Sequence, residues 1–195
     1  MIDIERILLE RDKSERVEKL HGVVNFKLNK PNLQYILDDL GFTDHKIVGG
    51  NFFTTPNPFH IHTDNGKDNE PDFNILIPLS EGVDHNTILF DQTYNGWASH
   101  FWVGSMYKYF PDPVYNLPKR DFINVNDIVT TRFDIELYTR YLSHLPYESV
   151  QGLSIKEVHK WKLGEHYIFE CNRLHASSNF KDIKEGLTLL VKNPS

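Results

Sequence analysis

Three side chains able to bind a metal fall within five residues of this chain. They are His60, His62 and Asp64, in the stretch Phe59-His60-Ile61-His62-Thr63-Asp64-Asn65-Gly66. In an extended backbone, alternate residues point to one face. His60, His62 and Asp64 would then project together. A histidine and a carboxylate on one face supply two of the three ligands of the facial triad that holds non-haem Fe(II). A second histidine must come from elsewhere. Cys171-Asn172-Arg173-Leu174-His175-Ala176-Ser177-Ser178-Asn179-Phe180 offers His175, just past a predicted strand. Antiparallel strands would bring these distant residues together.

The elements that must position them are mostly strands. His45–Phe53, Phe73–Leu79, Thr87–Asp91, Ile155–Lys162, His166–Cys171 and Gly186–Lys192 read as short strands split by Gly, Pro and Asn. Phe73, Ile75, Ile77 and Leu79 form one apolar face of the second of these. Thr54–Pro58 is a turn-rich lead into the histidine stretch. Helices flank the strands. Residues 1–20 have loose helical spacing, and Val23–Leu28 alternates. Pro31, then Leu33, Ile36, Leu37 and Leu40, then Gly41, mark a helix with its first turn and its end. Asp134–Leu145 is a further predicted helix. Residues 93–133 fit nothing regular. They crowd Tyr94, Trp97, Phe101, Trp102, Tyr107, Tyr109, Phe110 and Tyr115 with prolines, as a substrate-facing lid or a packed loop would.

Composition bounds the class. The chain has 195 residues, 39% hydrophobic and 25% charged, with a net charge of −6. That suits a single domain with a substantial core. The acidic balance argues against a nucleic-acid or anionic-membrane partner. Cys171 is alone, which excludes an internal disulfide and points to a reducing, cytoplasmic setting. No stretch has the roughly 18–20 apolar residues of a membrane span. The oligomeric state is not legible.

With these residues in hand, the sequence resembles the Fe(II)/2-oxoglutarate-dependent dioxygenases. The resemblance rests on His62-Thr63-Asp64, on Phe73–Leu79 and Thr87–Asp91, and on Gly164–Phe169 leading to His175. It implies a mainly β fold with flanking helices, a double-stranded β-helix of the jelly-roll, cupin-like kind. Residues 1–195 would be one oxygenase domain. Residues 1–44 would be its helical flank, and 45–192 the jelly-roll core with an insert at 93–150. The implied ligands are His62, Asp64 and His175, the implied metal Fe(II), and the implied cosubstrate 2-oxoglutarate. The expected reaction is hydroxylation of a small-molecule or peptide substrate with release of succinate and CO2. Asp64 favours hydroxylation, because family halogenases lack that carboxylate.

The family usually meets the cosubstrate's far carboxylate with an arginine on the last strand. This sequence departs from that pattern. Lys184 stands nine residues after His175, and Thr188 would share its face. Lysine is a point charge, not a bidentate fork. Lys192 and Arg173 are rivals for the role, and Arg173 could instead bind an anionic substrate. Asn74 could point inward to oxoglutarate or to a metal-bound water, or face solvent. Asp91 and Gln92 read as a strand-end cap. His85, His100, His144, His159 and His166 read as surface residues. Two other readings use the same stretch. A cupin-like metalloenzyme would use His60 with His62 and His175 and no oxoglutarate, although Glu70 is a poor match for a cupin's glutamate. A non-catalytic jelly-roll binding module would keep the site without the reaction.

Overall fold

The structure is a computed structural model that describes residues 2–19, 22–64, 71–93 and 132–194. The aromatic-rich residues 94–118, together with Glu70 and His100, lie outside the described residues. The described elements run α1 (Ile4–Asp12), β1 (Arg16–Glu18), β2 (Val24–Phe26), α2 (Lys30–Asp39), β3 (Lys46–Thr55), β4 (Phe73–Pro78), β5 (Asn86–Thr93), α3 (Ile135–Leu137), β6 (Ile155–Lys160), β7 (Tyr167–Glu170), β8 (Arg173–Ser177) and β9 (Lys184–Lys192).

All the strand pairings are antiparallel. They build a larger sheet in the order β1-β2-β3-β9-β4-β7 and a smaller one in the order β6-β5-β8. The histidine stretch joins the free side of β8. His62 N–H donates to His175 C=O at 2.9 Å, and His175 N–H returns the bond to His62 C=O at 3.0 Å. Asp64 N–H donates to Cys171 C=O, and Ser177 N–H to Phe59 C=O. The pairings are therefore nested. β3 pairs with β9, segment 59–64 with β8, β4 with β7, and β5 with β6. From β3 to β9 the described strands nest, with β5 and β6 the innermost pair.

Three apolar clusters order the layers. α1 and α2 place Ile7, Leu33, Ile36 and Leu37 against Phe52, Ile75, Ile77, Leu187, Leu189 and Val191 on the outer face of the larger sheet. Asp3 starts α1 by accepting from Arg6 N–H, and Pro31 sits in the first turn of α2. On the outer face of the smaller sheet, Leu142, Leu145 and Val150 cover Ile61, Ile88, Phe90, Leu174 and Ala176. Between the sheets lie Leu76, Leu89, Trp161 and Phe169, with Phe53 and Tyr167 against them. Fully burying a side chain of this size is worth about 1.5–3 kcal/mol. The outward pull of Ile61, Leu174 and Ala176 thus turns His62 and His175 inward, because neighbours along a strand alternate faces.

Several boundaries differ from the sequence-based expectation. The helical spacing over 1–20 is interrupted at Asp12-Lys13-Ser14, and α1 ends there at Asp12; past the break Arg16–Glu18 is not helical but pairs with β2 as an added strand. β3 continues through Thr55 into the expected turn. The helix expected over Asp134–Leu145 begins at its Asp134 cap but becomes a π-helical turn at Tyr138–Leu142. Asn179 takes up the carbonyls of Thr139, Arg140 and Tyr141 there, so the helix stops. His175 lies within its own strand, β8, not past the end of one. Lys184 opens the last strand, two residues earlier than expected.

Candidate metal centre

Among the described residues, His62, Asp64 and His175 form the one group of His, Cys or carboxylate side chains whose ligand atoms all lie within 4.8 Å of one another. His62 Nε2 is 3.8 Å from Asp64 Oδ1, and His175 Nε2 is 3.3 Å from Asp64 Oδ2. The reciprocal backbone bonds hold the two histidines directly opposite each other. Their ring centroids are 4.0 Å apart. Phe59 meets the His62 ring edge-on at 4.7 Å, and Phe169 meets the His175 ring at 4.8 Å.

The hydrogen bonds fix the chemistry of both rings. His62 Nδ1 lies 2.9 Å from His60 C=O, and His175 Nδ1 lies 3.0 Å from Arg173 C=O. A carbonyl only accepts, so each Nδ1 carries the proton and donates. Each ring then turns its Nε2 toward the Asp64 carboxylate. Two imidazole nitrogens and one carboxylate, each imidazole steadied from behind by a carbonyl, fit a divalent transition metal.

His60 is not part of the group. It is buried, stacks on Phe59 at 4.3 Å and supplies the carbonyl that orients His62. Cys171 is buried beside the site. Burial, then the charges of Asp64 and Asp72, push its thiol pKa up, so it stays protonated and is a poor ligand. Asn74, on β4, is buried and donates its Nδ2–H to Asp64 Oδ2 at 2.5 Å.

Lys184 lies at the other end of the inter-sheet cluster. Its side chain is 1% exposed. Nζ donates to Asn86 C=O at 2.8 Å and stands 3.9 Å from the centroid of the Trp161 ring, with Phe180 at 5.3 Å. Trp161 Nε1–H donates to Thr87 Oγ1, which fixes the ring face that Lys184 meets. No carboxylate pairs with Lys184 among the described residues. Burial alone pulls its pKa down to about 7. Trp161 and Phe169 both belong to the cluster between the sheets, so Lys184 and His175 border the same interior. Thr188 shares the Lys184 face of β9, and its hydroxyl lies 3.3 Å from both the N–H and the C=O of Asn51.

The rivals of Lys184 are placed elsewhere. Lys192 is exposed. Arg173 is spent on Glu170 and on the carbonyls of Phe90 and Asp91, which leaves its guanidinium little to offer a substrate. Asp91 and Gln92 lie inside β5 and bond Ser154 instead of capping a strand end. His85 is not a surface residue. Its ring is fully buried and its Nε2 meets Asp182 at 2.6 Å. His144 and His159 are half-buried, and His166 is exposed. The residues that the sequence did not single out are Trp161, Thr87 and Asn86 around Lys184. The alternation of β6 continues to Trp161, but nothing in it signals that a lysine lies opposite.

The chain matches no family model and no curated protein. No helix among the described residues is long and apolar enough to cross a membrane.

Proposed function

We propose that this protein is a double-stranded β-helix oxygenase that uses Fe(II) and 2-oxoglutarate to hydroxylate a small-molecule or peptide substrate. The observation that carries the reading is the convergence of two imidazole Nε2 atoms and one carboxylate, all within 4.8 Å of one another, between two sheets. The nested pairing supports the fold. Nested pairs with β3, β4, β7 and β9 in one sheet, and segment 59–64, β5, β6 and β8 in the other, are what a double-stranded β-helix would require.

Three protein ligands on one face leave positions for a chelating cosubstrate. When bound, the iron supplies the redox chemistry by which oxoglutarate and O2 yield succinate, CO2 and one oxygen atom placed on the substrate. The chain's own residues bind and orient. Lys184 offers a cation against the Trp161 ring, without a carboxylate partner among the described residues, which suits the far carboxylate of oxoglutarate. A desolvated charge pair of this kind is favourable only where each member is also hydrogen-bonded. Asn86 C=O meets that need for the ammonium; the Thr188 hydroxyl, on the same face, donates to Asn51 C=O and would exchange that bond for one to the carboxylate. Leu76, Leu89 and Phe169 exclude water between the two ends.

The test is turnover. Purified protein with Fe(II), oxoglutarate and O2 is expected to form succinate even without substrate, as slow uncoupled turnover. Substituting His62→Ala or Asp64→Ala reduces that rate at least 100-fold. Equal succinate formation by wild type and both variants overturns the proposal.

A further inference from the structure

We infer that Asn74 is a positioning residue for the metal, one that holds Asp64 to ligation through a single carboxylate oxygen. The inference rests on the reading of His62, Asp64 and His175 as a metal triad. It starts from β4. Asn74 faces the interior between Leu190 on β9 and Phe169 on β7, its partners in register. It is 1% exposed among otherwise apolar neighbours. An amide in such a place needs partners. Its Nδ2–H donates to Asp64 Oδ2, while Oδ1 is buried and has no hydrogen-bond partner. The reverse orientation would set an amide oxygen against a carboxylate oxygen, so the donor must face Asp64.

The geometry has one consequence for ligation. Asp64 comes from the end of a segment tied to β8 by backbone bonds, and its carboxylate is free to turn about its own side-chain torsions. Asn74 comes from the opposite sheet and clamps Oδ2. Oδ2 keeps a second lone pair, but the bond from Asn74 fixes the plane of the carboxylate, so that one oxygen and not both meets the metal alongside His62 Nε2 and His175 Nε2. A carboxylate released from the clamp can turn, or take the metal with both oxygens and consume a position the cosubstrate needs. Hydrogen-bond partners of metal ligands act in this way, and losing one typically costs 10–100-fold in metal affinity.

Co(II) titration of the metal-free protein tests the inference without turnover. Asn74→Leu keeps the volume and removes the donor. Asn74→Thr keeps a donor on a side chain that suits a strand. Calorimetry is expected to show Co(II) binding weakened 10–100-fold in Asn74→Leu and by less in Asn74→Thr. The visible ligand-field spectrum of the Leu variant changes, while the melting temperature of its metal-free form stays close to wild type. If Asn74→Leu does not fold, Asn74→Ala is read in its place. An unchanged Kd with a superimposable spectrum overturns the inference. So does an equal loss in the Leu and Thr variants, because the donor would then be irrelevant. Wild-type protein that binds no Co(II) refutes the metal triad itself, a different result from wild type and variants binding alike.

Discussion

The Nδ1 atoms of His62 and His175 decide what their rings can do. Both are committed to backbone carbonyls, so both rings turn Nε2 toward Asp64. This is why two histidines and an aspartate make a candidate metal centre. Lys184 carries the second residue-scale argument. Oxoglutarate needs the ammonium form, and burial brings the unliganded pKa down to about 7. Above that pH the ammonium fraction falls about tenfold per unit. A bound carboxylate favours the charged form, so the bound-state pKa is higher. The Kd for oxoglutarate is therefore expected to rise steadily from pH 7 to pH 9, read by calorimetry on the Mn(II) protein. Lys184→Arg stays charged throughout, and its Kd stays flat over that range. A flat wild-type profile would count against Lys184 as the carboxylate partner.

At the scale of elements, β9 joins the two halves of the account. One face carries Leu187, Leu189 and Val191 to the helical layer, and the other carries Lys184, Gly186 and Thr188 inward. Gly186 lies where β9 faces Phe53 and Trp161. A Cβ there would sit 2.6 Å from the Phe53 ring and 2.8 Å from the Trp161 ring. Gly186→Ala is expected to lose about 1–3 kcal/mol by overpacking, read by urea unfolding, and to perturb the near-UV signal of Trp161. An unchanged midpoint would mean that the rings yield freely. Gly50 permits the matching approach on β3, where φ is +114° and a Cβ would strike Thr188 C=O. Much of this layer was legible in the sequence. The alternation of Phe73–Leu79 marks its outward face, and Pro31 to Gly41 marks α2. β8 was not legible, because Arg173–Ser177 is short and its outward pair is only Leu174 and Ala176. The end of the π-helical turn Tyr138–Leu142 was hidden too, because Asn179 meets its carbonyls from far along the chain.

For the whole molecule, nested pairing is what makes two distant segments one site. His62 and His175 meet because the second and the second-to-last strands of a nested set must pair. Residue type and spacing were enough to propose His62, Asp64 and His175. They could not show that Lys184 lies under Trp161, or that Asn74 clamps Asp64, because both contacts cross between layers. The most direct test of the account is a crystal structure grown without oxygen in Mn(II) and oxoglutarate. The account predicts one metal held by His62 Nε2, one carboxylate oxygen of Asp64 and His175 Nε2, chelated by oxoglutarate, with the far carboxylate within 3.2 Å of Lys184 Nζ, the usual reach of an N–H···O hydrogen bond. Metal held by other side chains, or oxoglutarate away from Lys184, would contradict it.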